Sequence, residues 1–572
     1  MYKQFISIGK KQFTLLLILI LGGIFAACAQ TDGGSTVEVT RVVSETELVE
    51  VTRVEVETQI VEVTSTPGAE PAITEGGTMI FATNLRAEFP INPIITAFRP
   101  GIWMFDPLLE LDAETLAPAP NLAESWTVSD DGTVYTFTLR QDVTWHDGEP
   151  FTADDVVFTA NAWLYDENSI YRNNFVFGQD ENGEDRLMEV EKIDDYTVQF
   201  TLPEPSAGFT TNLTGWHGIA PAHLLEGEDL ATTSFNENPV GTGPLMFDEL
   251  RSQEYVRLKF YEGYWRGTPH MEEFIWQIIP DDDAQVTALS NGEIDVIKNV
   301  NTVDMAFRIA GIPGVTIHQV LGNFTYAFFF NHARFEPFQE LAVREAMALA
   351  LDKPAIINGV IGAGVPVAEQ LLNPTHWGHN PDVQVLGYDP EGAVAILNEA
   401  GWEDSDGDGI LDKDGQALAF TVMSEDPVLP EAIQGYLSEI GIDMSINVVE
   451  RAVRTELQGT GEWDAYIGWD GAGVPEGVLA SAWSSGNWIN YTNPELDQLV
   501  VDADRTTTQE DRAALIQQAE QVLTDDVAAI WLYHYMTRIA VADSIGGLQD
   551  PPTPADLNNT GVFYHVEDLY FK

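Results

Sequence analysis

A mixed α/β fold follows from three features of the sequence. Residues 134–139 and 196–202 alternate apolar and polar side chains, the pattern of half-buried strands. Residues 342–351 and 511–523 instead carry apolar side chains at helical spacing, and Pro354 is expected to close the first of these helices. Strand-like and helix-like stretches interleave along the chain without separating into blocks, which leaves α/β and α+β as the classes.

The 572 residues provide for a sizeable core and more than one domain, and 44% hydrophobic with 10% aromatic residues is a globular composition. With 90 acidic residues against 27 basic ones the formal charge is −63. Such a surface repels a phosphate backbone, so no nucleic-acid partner is expected. It suits a solvated, exported protein.

The first element is a leader. Lys3, Lys10 and Lys11 precede an apolar run at residues 14–27. That run has signal-peptide length and falls short of a span, since a helix rises ~1.5 Å per residue against ~30 Å of hydrocarbon. It ends in Phe25-Ala26-Ala27-Cys28, which resembles the bacterial lipobox, with Phe25 where leucine is preferred. The resemblance implies cleavage after Ala27, lipidation of Cys28 and a membrane anchor; the alternative is ordinary cleavage with a free thiol. Cys28 is the sole cysteine, which excludes intrachain disulfides and cysteine-based metal sites or nucleophiles in the body.

Residues 28–77 read as the lipidated N-terminus and a tether. Val37-Glu38-Val39-Thr40-Arg41-Val42 recurs at 49–54 and, in part, at 61–64, and residues 31–77 contain no aromatic side chain. As a flexible chain this stretch would span roughly 40 Å root-mean-square. Val42, Val49, Val56 and Val63 are heptad-spaced, but the matching Glu45, Thr52 and Gln59 are polar, which disfavours a coiled-coil stalk.

From residue 78 onward a series of motifs appears in order. Phe105-Asp106-Pro107-Leu108-Leu109-Glu110 leads to Asn121-Leu122-Ala123-Glu124-Ser125-Trp126, then to Trp145-His146-Asp147-Gly148-Glu149-Pro150-Phe151-Thr152. Pro239-Val240-Gly241-Thr242-Gly243-Pro244, Asn291-Gly292-Glu293-Ile294-Asp295 and Tyr491-Thr492-Asn493-Pro494 follow. Together they resemble the extracellular solute-binding proteins of family 5, the oligopeptide- and dipeptide-binding receptors of ATP-binding-cassette importers. Locally, Asp130-Asp131-Gly132 and Trp145-His146-Asp147-Gly148 read as turns, and Thr152 with Asp155 as a relative of the capping box.

The resemblance implies a two-lobe periplasmic-binding-protein-like fold of type II, in its large class with an extra subdomain, and a hinge between the lobes. Residues 78–106, 236–325 and 536–572 would form the first lobe, 107–235 the subdomain attached to it, and 326–535 the second lobe. The function implied is that of an extracytoplasmic receptor, lipid-anchored on the outer face of the membrane, which captures a peptide or similar solute and delivers it to a permease. The candidate ligand-binding residues are Glu88, Trp103, Asn331, Trp469, Asp470 and Trp488. Peptide receptors of the family place an aspartate three residues after a tryptophan to meet the ligand's ammonium; here Ala472 stands three residues after Trp469, with Asp470 nearby. That departure and the 14 tryptophans make an oligosaccharide the alternative ligand.

Enzymatic signatures are missing. His146 has no serine elbow or second histidine beside it, Gly241-Thr242-Gly243-Pro244 lacks a phosphate-loop lysine, and no His-Glu-x-x-His occurs. A non-enzyme with no required cofactor is therefore expected, with a secreted surface hydrolase or adhesin as the competing class. One acidic loop fits a calcium ion. Asp404, Asp406, Asp408, the Ile410 carbonyl and Asp412 fall at positions one, three, five, seven and nine of a calcium loop, but Gly415 stands where the closing glutamate belongs. A structural calcium there competes with a plain acidic turn.

Overall fold

A computed structural model describes residues 37–41, 57–61 and 73–572, with gaps at 86, 88, 98, 113–116, 180–182, 216, 301, 363, 471–478, 480–482, 484–486, 507 and 549–564. Two compact units emerge, residues 1–72 and 73–572. In the first, Val37–Arg41 and Glu57–Val61 pair as antiparallel strands with Val37 opposite Val61. The heptad-spaced Val42, Val49, Val56 and Val63 all lie outside the described residues. Cys28 and the leader lie outside the described residues.

The second unit is built on one ten-stranded mixed sheet. In chain order its strands are β1 (Thr78–Thr83), β2 (Leu245–Arg251), β3 (Tyr255–Phe260), β4 (Glu273–Ile278), β5 (Val296–Ile297), β6 (Val315–Phe330), β7 (Ala419–Ser424), β8 (Asp443–Val448), β9 (Ala465–Asp470) and β10 (Ala529–Ala542). Across the sheet the order is β2-β3-β4-β1-β5-β10-β6-β9-β7-β8. Between β1 and β2 the chain leaves to form a four-stranded antiparallel sheet, ordered Glu189–Asp194, Thr197–Thr201, Val134–Leu139 and Ala123–Val128. Both strands expected at 134–139 and 196–202 belong to it. Helix α1 (Ala153–Tyr165) packs on this sheet and opens with a reciprocal capping box: the Thr152 side chain accepts from the helix backbone, while the Thr152 N–H donates to Asp155 at 2.9 Å.

Strands β6 and β10 organise the two lobes. At 16 and 14 residues they are several times longer than their neighbours, and β6 would run roughly 50 Å at ~3.3 Å per residue. Their lower halves pair Val315–Leu321 with Met536–Ala542, and their upper halves pair Thr325–Phe329 with Ala529–His534. The ladder is irregular between Leu321 and Thr325, and Leu532 is an extra residue between the pairs Ala327–Trp531 and Tyr326–Tyr533. Below the irregularity Val320, Ile539 and Val541 join one core with β1–β4 and the four-stranded sheet. Above it Phe328, Phe330, Ile530 and Leu532 face one second-lobe core while Ala327, Phe329 and Trp531 face another. Burial on both faces explains the unbroken apolar run Phe328-Phe329-Phe330. The body is α/β with two lobes.

The helices expected at 342–351 and 511–523 are Leu341–Leu349 and Gln509–Asp525. Pro354 does not terminate the first; it lies in the first turn of the next helix, Lys353–Val360, which Asp352 caps through the Ala355 N–H. Proline's missing N–H is harmless there, because that position has no intrahelical acceptor.

Candidate functional site

Where β6 and β10 pass from one set of cores to the other, a cavity of about 470 Å³ opens. Val300, Thr302 and Arg538 come from the first-lobe side, Tyr326, Ser424, Asp426, Val428, Ile467 and Tyr533 from the second. The volume is in the ordinary range for small-molecule sites. Tyr326 and Tyr533 are paired in register across the strands. Burial pushes the Tyr326 hydroxyl up to about 12 and the Tyr533 hydroxyl well above its usual value, so both remain neutral donors. Tyr535 also lines the cavity and is raised for the same reason.

Two charged side chains face this cavity. Asp426 is exposed beyond the end of β7, where its Oδ1 accepts the Val428 N–H at 2.8 Å at the start of the helix Val428–Glu439. Arg538, half-buried on β10, donates from Nε to Gln319 Oε1 at 3.4 Å. Burial lowers its pKa from the ordinary arginine value, yet a guanidinium stays protonated in a protein. Most of the remaining lining is apolar, including Val360, Ile361, Val365, Leu429 and Met536.

Only part of the expected ligand set meets this wall. Trp469 is half-buried on β9, opposite the lining residue Tyr326 and two residues from the lining residue Ile467, so all three share one face. Its ring lies 4.7 Å from that of Phe324 and under the Arg451 guanidinium at 5.6 Å. Asp470 falls on the opposite face by strand alternation, which removes it as the acid beside Trp469 in this arrangement. Trp103 is a core residue with no exposed surface, packed on Phe274 at 4.7 Å and on Trp276 at 5.8 Å. Asn331 is fully buried and its amide is saturated. It donates to the Trp463 carbonyl at 2.8 Å and accepts from the Ala333 N–H and the Asn490 amide, clamping second-lobe loops together. Trp488 packs among Phe329, Trp463 and Tyr466. Glu88 and Ala472 lie outside the described residues.

His146 is a structural staple. Its Nδ1 accepts the Gly241 N–H at 3.1 Å, so its Nε2 is the donor to the Gly243 carbonyl at 2.9 Å. Burial lowers its pKa to about 4, and both ring nitrogens are committed to the glycine loop.

In the acidic loop, carboxylate oxygens of Asp404, Asp406 and Asp408 come within 4.8 Å of one another, and all three residues are exposed. Asp412 departs from the expected set: both its oxygens accept from the Ser405 hydroxyl, at 2.8 and 2.7 Å. Ile410 donates its N–H to Asp408 at 2.8 Å.

The residues that sequence reasoning passed over are Tyr326, Asp426, Tyr533, Tyr535 and Arg538. A signal existed in Tyr533 and Tyr535 followed by Arg538, the one Asp, Glu, Lys or Arg of residues 529–542.

Comparison with known proteins places this geometry. Residues 117–490 match the family model described as bacterial extracellular solute-binding proteins, family 5 middle. The oligopeptide-binding protein AppA of Bacillus subtilis is 30% identical over 454 residues, covering 76% of this chain and 81% of that one. The dipeptide-binding protein of Escherichia coli is 29% identical over 465 residues, covering 75% and 83%. The solved structure of the Bacillus subtilis protein in complex with a nonapeptide superposes with a TM-score of 0.69 at 25% identity, over 88% of this chain and 100% of that chain.

Proposed function

The chain belongs to the bacterial extracellular solute-binding proteins of family 5, and from that premise we propose that it is the substrate receptor of an ATP-binding-cassette importer that captures short peptides in the cleft at β6 and β10. The observation that carries this reading is the cavity itself: Val300 from the core that also holds Ile297 and Ala540, and Leu429, Ile467 and Tyr533 from a separate core, line it together, with Tyr326, Tyr535 and Arg538 added by the joining strands β6 and β10. A solute held by both walls favours the closed arrangement, and closure takes it out of water. One anion and one cation set in a mostly apolar and aromatic lining suit a zwitterion with apolar side chains better than a neutral sugar. The tyrosine wall is what favours the second reading, an oligosaccharide stacked on aromatic faces. Among the described residues the lining includes Ser424 but no histidine to activate it, which supports binding over hydrolysis.

A thermal-shift screen of peptides and neutral oligosaccharides on the full chain tests this. Peptides are expected to raise the melting temperature. Stabilisation by sugars alone would transfer the assignment to the second reading, and no shift with either class would remove both.

The proposal includes the anchor. Among the described residues no helix is long and apolar enough to cross a membrane. Lipidation at Cys28 would hold the receptor at the outer face through its tether, beside its permease. Cys28→Ala should move the protein from the membrane to the soluble fraction, and retention of the variant in the membrane would dismiss the lipid. Calcium is proposed only as a structural ion at Asp404, Asp406 and Asp408, away from the ligand.

A further inference from the structure

Arg538 stands out among the cations of this acidic chain. With 90 acidic residues against 27 basic ones, carboxylate partners abound. Arg140 pairs with Asp142, Arg172 with Asp185, Arg257 with Asp248, and Arg454 with Glu425. Arg344, which is buried, aims its guanidinium at the carbonyls of Phe338, Asp526 and Val527. Arg538 has neither arrangement. Among the described residues the only hydrogen bond of its side chain is the long one to Gln319, and no carboxylate pairs with it, although it is half-buried among tyrosines and aliphatic side chains. Half-burying a cation without a counterion is unfavourable, and the burial that lowers its pKa expresses that cost.

The position of Arg538 has a second peculiarity. It lies below the break in the β6–β10 ladder, on the first-lobe half of the strand, while Tyr533, Ser424 and Asp426 lie on the second-lobe side. A ligand group held by Arg538 is tied to one lobe while the rest of the ligand touches the other.

We propose that Arg538 is the carboxylate anchor of the cleft, a specificity-determining residue that selects ligands with a free carboxylate; on the peptide reading above, on which this rests, that group is the peptide C-terminus. The planar guanidinium offers two parallel N–H donors to the two oxygens, an arrangement a lysine or an amide cannot reproduce. The surrounding apolar wall keeps the pair from being screened by water.

The test is calorimetric titration of the full chain and its Arg538→Gln and Arg538→Lys variants with di-, tri- and pentapeptides of alanine and leucine, each as free acid and as C-terminal amide. The native chain should prefer the acid by ~10- to 100-fold, the span expected for charge-assisted hydrogen bonds. Arg538→Gln should lose that preference by weakening the acid alone, with the amide unchanged, and Arg538→Lys should keep part of it. Melting curves check that the variants are folded. Equal affinity of the native chain for acid and amide, or an undiminished preference in Arg538→Gln, would overturn the anchor and leave the peptide reading standing. Failure of every peptide to bind, with or without binding of maltotriose as a neutral sugar, would overturn the peptide reading and the anchor together.

Discussion

Tyr326 and Tyr533 stack face to face with ring centroids 4.5 Å apart and planes 10° from parallel, on the two strands that pass between the lobes. Both rings line the cleft, so the pair acts as a wall for the ligand as well as a contact within the protein. Replacing Tyr533 by leucine keeps an apolar side chain and removes the stack, worth ~0.5–1.5 kcal/mol beyond area burial. The expected result is a modest drop in melting temperature with about tenfold weaker peptide binding by calorimetry. Unchanged affinity would show that the ligand does not use this wall.

Gly241 is fixed by close approach to backbone. A Cβ built there would stand 1.7 Å from the Met104 carbonyl oxygen, and one on Gly243 would stand 2.4 Å from that of Trp103. Neither oxygen can retreat easily, because the Trp103 ring is locked in the core and His146 holds the glycine loop from the other side. Gly241→Ala should cost on the order of 3 kcal/mol or more in denaturant unfolding, or abolish folding. A stable Ala variant would contradict the packing.

Glu520 makes stability depend on pH. It is buried in the helix Gln509–Asp525, where its Oε2 accepts the Leu371 N–H at 3.1 Å, and burial raises its pKa to about 8. The unfolded chain releases this proton near the ordinary value of 4.5 while the folded chain retains it. Stability from this group is therefore fully present below about pH 4.5 and is lost as pH rises towards 8. Glu520→Gln, which cannot ionise, should match the native chain near pH 4.5 and exceed it by roughly 2–4 kcal/mol at pH 9. Parallel pH curves for the two would refute the assignment.

Calcium titration separates two uses of the acidic loop. Binding at Asp404, Asp406 and Asp408 is expected in the weak range of extracellular modules, on the order of 10⁻⁴–10⁻³ M. Asp406→Asn should abolish the heat, whereas Asp412→Asn should retain it, since the Asp412 carboxylate is bonded to Ser405. Absence of heat in the native chain would leave the loop as a turn.

Local rules were readable in the sequence wherever one residue type met one backbone need. The Thr152–Asp155 cap and the alternating strand at 134–139 are of this kind. Pro354 reads as a stop in the sequence, but the Asp352 cap makes it part of a start. Trp103 and Asn331 show why the ligand set was harder: a tryptophan or asparagine looks the same in sequence whether it faces a cleft or a core. Arg538 and the tyrosines were hidden by the ladder itself. With Leu532 inserted, Leu532 and Tyr533 pack against the same core, and farther along β10 the cavity is lined by Tyr535, Met536 and Arg538, so no single period of two picks out the wall.

The interrupted pairing of β6 with β10 has a mechanical consequence. Two stiff plates are joined by a two-ply leaf spring, and the spring is notched between Leu321 and Thr325. Bending concentrates at a notch, where no regular ladder bonds need to break and the plates above and below can tilt as rigid pieces. Tyr535 lies within that notch and Arg538 two residues below its lower edge, so whatever grips them acts close to the point of greatest compliance.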